Sequence, residues 1–383
     1  MPNREDHALQ VAPETSLIEA GRRNWMKMGF VNPPVYRGST VLFDSYSEMA
    51  PGAAPYHYGR WATPTTDAFC EAMAEIEGGV GALAMCSGLG AITTTLIALA
   101  RPNSRVLVGQ SSYAAARKFC EQMFRPRGIE VEYFSLDRLS ELRQTLTDNV
   151  SLIYLDLPGS ATFDVCNLHE LTTSAGRIPV VVDNTWATPY FFNPLRHGAS
   201  VVIHSTSKYI CGHSDSVMGT AVFADVPTFE RTRDTARLLG QAVGADDANL
   251  ALRGLRTLAV RMSRHYESAS RIGAWLSKHP AVEKVHYPAL PADRNHAAWK
   301  VQFSGAGGVF TFTLRSAHAD ALQRFIDRVS VIGRGWGWGG YESVICPATL
   351  TDPHGGVRMG LRMSVGLEDV DTLLLDLATA LGE

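Results

Sequence analysis

Lys208 follows the apolar run 201–203 in the stretch His204-Ser205-Thr206-Ser207-Lys208-Tyr209. A lysine just past a strand end can attack a carbonyl as an amine nucleophile. Ser205 and Ser207 beside it can donate to a phosphate. A second apolar run, 180–182, leads into Asp183-Asn184-Thr185-Trp186. A carboxylate in that place can hold a pyridine nitrogen protonated, which makes the ring an electron sink. Cys86-Ser87-Gly88-Leu89-Gly90 precedes a helix-like stretch, 91–100. Small residues there expose backbone N–H groups to an anion at a helix N-terminus. Tyr113 follows the run 105–108 and offers a ring for stacking. Arg358 and Arg362 alternate on one face of a strand-like segment, where a guanidinium can clamp a carboxylate through two hydrogen bonds.

Each of these features also has an ordinary explanation. Lys208 can be a solvated lysine in a polar loop, Asp183 a turn cap, and the Ser87–Gly90 turn a tight strand-to-helix corner. Tyr113 can be a surface aromatic, and the arginines surface ion pairs. Together they supply an amine, a ring-nitrogen partner, a stacking ring, a phosphate cradle and a carboxylate clamp. Pyridoxal 5′-phosphate (PLP), bound covalently to Lys208, requires that set.

The elements that must position these groups are legible in outline. Runs 105–108, 151–155, 180–182 and 201–203 are nearly all apolar, as strands buried on both faces are. The intervening stretches are long enough for crossover helices, which predicts an α/β, mostly parallel sheet with helices on both sides. Ligands of such sheets sit beyond the carboxyl ends of the strands, where Asp183 and Lys208 fall. A long helix is expected over 255–276, a strand over 308–314 and a closing helix over 368–381, with Val370, Leu373, Leu374, Leu377 and Leu381 at helical spacing. The expected organisation is an irregular N-terminal arm (1–58), a large α/β domain (59–250) and a smaller C-terminal α+β domain (251–383).

Bulk properties exclude several classes. A chain of 383 residues with 45% hydrophobic and 19% charged residues buries a large core. Its net charge of -3 carries no basic block suited to nucleic acid. No apolar run reaches membrane-spanning length and the first residues lack a secretory signal pattern, so a cytoplasmic location is expected. The six cysteines are scattered and lack zinc-ligand spacing, so they are expected to be reduced, with no metal site.

Val182-Asp183-Asn184-Thr185-Trp186, Ser207-Lys208-Tyr209 and Gly212-His213-Ser214-Asp215 resemble the PLP-dependent enzymes of Cys/Met metabolism. Tyr58-Gly59-Arg60, Ser87–Gly90, Tyr113 and Arg362 followed by Gly366-Leu367-Glu368 fall in that family's order, from about residue 58 to the C-terminus. Trp338-Gly339-Gly340-Tyr341-Glu342-Ser343 and Pro158-Gly159-Ser160 are most similar to its bacterial cystathionine β-lyase branch.

The resemblance implies fold type I, the aspartate-aminotransferase-like fold, and a homotetramer built as a dimer of dimers. It implies that Lys208 binds PLP and shuttles the Cα proton, that Asp183 pairs with the ring nitrogen, and that Tyr113 stacks on the ring and contacts substrate. Gly88, Leu89, Ser205 and Ser207 would bind the phosphate, with Tyr58 and Arg60 reaching the phosphate of a neighbouring subunit. Arg362 would hold the substrate carboxylate, in a substrate site shared with Trp338, Gly337 and Ser160. The implied reaction is β-elimination from cystathionine, with γ-elimination or γ-replacement as the alternative and a non-catalytic PLP-binding regulator as a remoter one. Departures from the branch pattern stand at Gly337 (usually Ser), at Arg334-Gly335-Trp336, and at Asp156-Leu157 where Glu-Ser is commoner. They are expected to bear on the substrate rather than on the chemistry.

Overall fold

The apolar runs form the centre of one seven-stranded sheet in the computed structural model, which describes residues 12–22, 29–315, 319–351 and 356–382. In chain order its strands are β1 (Gly81–Met85), β2 (Arg105–Gly109), β3 (Glu130–Phe134), β4 (Val150–Asp156), β5 (Val180–Asp183), β6 (Val201–His204) and β7 (Gly219–Phe223). The spatial order is β1-β7-β6-β5-β4-β2-β3. Strands β2 to β6 pair in parallel, as expected, and only β7 runs against its neighbours β1 and β6.

The two-sided apolar pattern has a direct packing cause. Every residue of β4 is buried. Alternate residues of the central strands point into separate layers: Val182, Val202 and Leu155 into one, Val181, Ile203 and Tyr154 into the other. Helix α1 (Pro64–Glu77) covers the first layer through Phe69 and Met73, and α2 (Gly88–Leu99) covers the second through Ile92 and Leu96. The short α3 (Ala114–Phe119) follows β2.

The long helix starts later than its periodicity suggests. A separate helix spans Ala245–Leu255, and α4 runs over Leu258–Leu276. Tertiary contact sets the break. A Cβ on Gly254 would lie 2.1 Å from the Ile210 carbonyl oxygen, so only glycine lets the end of that helix pack against the loop that follows Lys208. Arg261 on α4 is 4% exposed and locks the same junction. Its guanidinium donates to the carbonyls of Tyr209 (2.6 Å), Gly254 (2.7 Å) and Ile210 (3.4 Å). Burial pushes its pKa down to about 10, which leaves it charged at neutral pH.

Removing such a donor strands buried acceptors at about 1–3 kcal/mol each. Arg261→Met should therefore lower unfolding free energy by about 3 kcal/mol or more, read as a shifted urea midpoint. An unchanged midpoint would show that the Lys208 loop does not depend on this anchor.

A second, five-stranded sheet has the order β10-β11-β12-β9-β8, formed by β8 (Val282–His286), β9 (Val309–Leu314), β10 (Gly333–Arg334), β11 (Val344–Thr351) and β12 (Val357–Ser364). Helices α5 (Ala319–Arg328) and α6 (Val370–Leu381) pack together beside it. The expected strand over 308–314 and closing helix over 368–381 are thus β9 and α6. Residues 1–11 and 23–28 of the expected arm lie outside the described residues. Its later part is tied down by the Tyr36 N–H bond to Thr65 Oγ1 (2.8 Å) and by the Thr40–Tyr58 bridge.

Candidate active site

The carboxyl ends of β4, β5 and β6 open into a cavity of about 360 Å³. Its walls include Gly88, Leu89, Tyr113, Ser160, Asp183, Ser205, Ser207, Lys208, Trp338 and Arg362. Residues from 88 to 362 therefore converge on one space.

Lys208 enters through a tight turn, its N–H bonded to the Ser205 carbonyl at 3.0 Å. Its Nζ lies over the Trp338 ring, 5.4 Å from the centroid. Burial, and then the nearby Arg362 charge, lower its pKa. Both effects favour the uncharged amine, the form that is nucleophilic and basic. Gly339 lets the backbone approach this lysine. It has φ +86, and a Cβ there would lie 3.0 Å from the Lys208 Cα.

Asp183 ends β5. Its Oδ1 accepts from the Thr185 N–H (2.9 Å) and hydroxyl (2.5 Å), which leaves the second oxygen for a ligand. Its neighbour in register is Asp156, at the end of β4. Asp156 accepts from the Tyr154 hydroxyl (2.7 Å) and the Tyr113 N–H (2.8 Å). Burial raises the pKa of both carboxyls, and the Asp183 charge raises that of Asp156 further. A cationic ring nitrogen would offset that cost. Asp156 thus fixes the backbone of the candidate stacking residue, a role that its mere departure from the commoner Glu did not reveal.

The residues expected to hold a phosphate differ in how many donors they keep free. Ser87 caps α2 by accepting from the Gly90 N–H at 2.9 Å, and the first N–H groups of the helix, at Gly88 and Leu89, have no intrahelical acceptor. A Cβ on Gly88 would lie 2.6 Å from the Ser205 side chain, so glycine alone permits this approach. The Ser205 hydroxyl has no hydrogen bond among the described residues. Ser207 differs: its hydroxyl donates to the Met218 carbonyl (3.0 Å) and accepts from the Met218 N–H (2.9 Å). That hydroxyl's donor is used inside the protein here, while Gly88, Leu89 and Ser205 line the cavity.

Arg362, on β12, donates to the Trp336 carbonyl. Trp336 lines the cavity and is 71% exposed, whereas Gly337 is not among the lining residues and a Cβ there would meet nothing within 4 Å. Arg358 leaves the site through its ion pair with Glu283 at 2.8 Å. Arg334, expected near the substrate, is turned away. Its guanidinium donates to the carbonyls of Ile326, Asp327 and Val329 at the end of α5. Carbonyls at a helix end lack intrahelical donors, and a nearby cation supplies them. Tyr58 and Arg60 stand apart from this chain's cavity. Arg60 lies over the Tyr58 ring at 5.7 Å and donates to the Arg237 carbonyl at 3.2 Å.

These residues fit PLP, with a covalent anchor, a ring-nitrogen partner, a ring face and a phosphate cradle on one cavity. No metal-ligand cluster exists among the described residues. No described helix is long and apolar enough to cross a membrane.

The family model "Cys/Met metabolism PLP-dependent enzyme" matches residues 14–382. A protein of Rhizobium johnstonii named putative cystathionine beta-lyase is 38% identical, covering 97% of each chain. An L-alanine/L-glutamate racemase of Wolbachia pipientis is 36% identical, covering 96% of each. The solved structure of cystathionine gamma synthase from Xanthomonas oryzae, in complex with aminoacrylate and cysteine, superposes with a TM-score of 0.88 at 30% identity. It covers 97% of this chain and 98% of that one.

Proposed function

This chain belongs to the Cys/Met metabolism PLP-dependent enzyme family, and from that premise we propose that it is a carbon–sulfur β-lyase. The substrate is cystathionine or a related S-substituted cysteine, and the products are a thiol such as homocysteine, pyruvate and ammonia. The observation that carries this reading is the single cavity lined by Lys208, Asp183, Tyr113 and Arg362. The cystathionine β-lyase name of the Rhizobium relative supports the leaving group.

When bound, PLP takes up the electron pair left at Cα. Arg362 holds the substrate α-carboxylate. Lys208 would hold the cofactor, and its Nζ, as a free amine, would remove the Cα proton. Trp338, facing that Nζ, keeps the amine in a desolvated setting. Asp183 holds the ring nitrogen's proton, and Tyr113 covers the ring. The β-thiolate leaves, and hydrolysis of the remaining three-carbon enamine gives pyruvate and ammonia.

Purified protein should therefore release pyruvate from cystathionine. Exclusive release of a four-carbon 2-oxo acid across cystathionine, cystine, methionine and γ-oxygen-linked substrates would replace β- with γ-elimination. L-alanine and L-glutamate belong in the panel because removal and return of the Cα proton, without a leaving group, is racemisation, the activity named for the Wolbachia relative.

Arg362→Gln should raise KM about 10- to 100-fold, the range for losing a charge-assisted hydrogen bond. Steady-state kinetics on cystathionine reads this. A change confined to kcat would remove Arg362 from substrate binding.

The assembly we propose is a cytoplasmic homotetramer in which Tyr58 and Arg60 complete the phosphate site of a neighbouring copy. Leu42 and Tyr46 on the same arm are 90% and 91% exposed in the single chain, as residues covered by a second copy would be.

A further inference from the structure

Tyr113 carries the ring expected to cover the cofactor, yet little in the chain holds that ring directly. It is 45% exposed. Among the described residues it has no aromatic neighbour, and its hydroxyl makes no hydrogen bond. Its place is therefore set by its backbone, in the turn between β2 and α3.

That turn is tied to Asp156. The Tyr113 N–H donates to Asp156 Oδ2 at 2.8 Å. The Ser112 hydroxyl in turn accepts from the Asp156 N–H at 3.3 Å. The other carboxylate oxygen, Oδ1, accepts from the Tyr154 hydroxyl at 2.7 Å. Tyr154 is fully buried within β4, in the layer that α2 covers. Both oxygens of Asp156 are engaged from different directions, which fixes the orientation of the carboxylate. One line of contacts thus runs from the core, through Tyr154 and Asp156, to the Tyr113 backbone.

We propose that Tyr154 and Asp156 form a brace that sets the Tyr113 ring over the cofactor, both acting as positioning residues. The inference rests on the reading of Tyr113 as the residue that covers the cofactor ring. It also moves the effect of the departure at 156 from the substrate to the cofactor. The rival role for Asp156 is electrostatic, because it neighbours Asp183 in register and adds a second negative charge beside the ring-nitrogen partner. Substitution separates the two. Asp156→Asn removes the charge but keeps a carbonyl oxygen for the Tyr113 N–H and an amide that can donate to the Tyr154 hydroxyl oxygen. Tyr154→Phe keeps the charge and removes the inner bond of the brace.

The rate of cofactor release from each holoenzyme on dilution, and the visible circular dichroism of the bound cofactor, test this. Neither needs turnover, so both apply whichever substrate is cleaved. Tyr154→Phe and Asp156→Ala should each speed release about 3- to 10-fold, the range for an aligned aromatic stack, and weaken the dichroism. Asp156→Asn should stay within about twofold of wild type, the scatter of independent changes. In a Tyr113→Ala background, Tyr154→Phe should add less than about twofold, because residues that act through one group are not additive. Full additivity in that background would overturn the brace. So would an Asp156→Asn protein that loses cofactor as fast as Asp156→Ala, which would assign the electrostatic role. Should Asp156→Ala fail to fold, Tyr154→Phe and its cycle with Tyr113→Ala decide the question alone. A Tyr113→Ala protein that releases cofactor at the wild-type rate would instead remove the stacking role of Tyr113, and the brace with it.

Discussion

Lys208→Ala should lose at least about 10³- to 10⁴-fold of the lyase rate, since it removes both the covalent anchor and the proton-transferring base. The lowered pKa of Lys208 is the reason that no neighbour can substitute. Burial, and then the Arg362 charge, lower the Lys208 pKa and so favour its free amine. The variant should still bind the cofactor through the Gly88 and Ser205 side of the cavity. Borohydride reduction, which fixes wild-type protein to its cofactor, should no longer do so, and mass spectrometry reads that difference directly. An added small amine should restore part of the rate. A Lys208→Ala protein with full activity would overturn the catalytic assignment and revive the alternative of a PLP-binding regulator.

Asp183→Asn is expected to have the second largest effect, a fall in kcat of about 10²- to 10³-fold, the range for losing one preorganised electrostatic partner. Asparagine keeps the size and can still accept from Thr185, so the fold should be unaffected. What disappears is the charge that holds the ring nitrogen protonated. Asp183 lies against Asp156 in a buried setting that disfavours two negative charges, so a cationic ring nitrogen is the natural counter-charge. Cofactor affinity should fall less than kcat, because the phosphate cradle is on other elements. The absorbance of the bound cofactor should also shift. An unchanged kcat with unchanged absorbance would mean that Asp183 is only a turn residue capped by Thr185.

Strand identity and the parallel core were legible because burial on both faces demands continuous apolar runs, as in β4. The same logic missed β1, β3 and β7: β1 and β3 are edge strands of mixed burial, and the buried run of β7 takes its place only by lying antiparallel between β1 and β6. The start of α4 was misplaced because the junction at Arg256-Thr257 packs on the loop after Lys208, through Gly254 and Arg261, contacts between residues far apart in the chain. Site residues followed a similar division. Lys208, Asp183, Tyr113 and Arg362 were legible from residue type, position after strands and family order, and they share one cavity. The donor of Ser207 was not legible as spent, since its partner Met218 is reached only when β7 folds back beside β6.

The sequence by itself determined the α/β class and the cofactor, because strand burial and PLP chemistry each restrict residue type at fixed local spacing. Only the tertiary structure decided which charges remain free. Arg334 is consumed by helix-end carbonyls, Arg358 by Glu283, and Asp156 by the Tyr113 backbone. Among the described residues, the Arg117 guanidinium makes no hydrogen bond, and it lines a small cleft beside the catalytic cavity. The physical reason is that a side chain's availability depends on which donors and acceptors the fold brings within hydrogen-bonding distance, whether 5 residues away, as Val329 is from Arg334, or 75, as Glu283 is from Arg358.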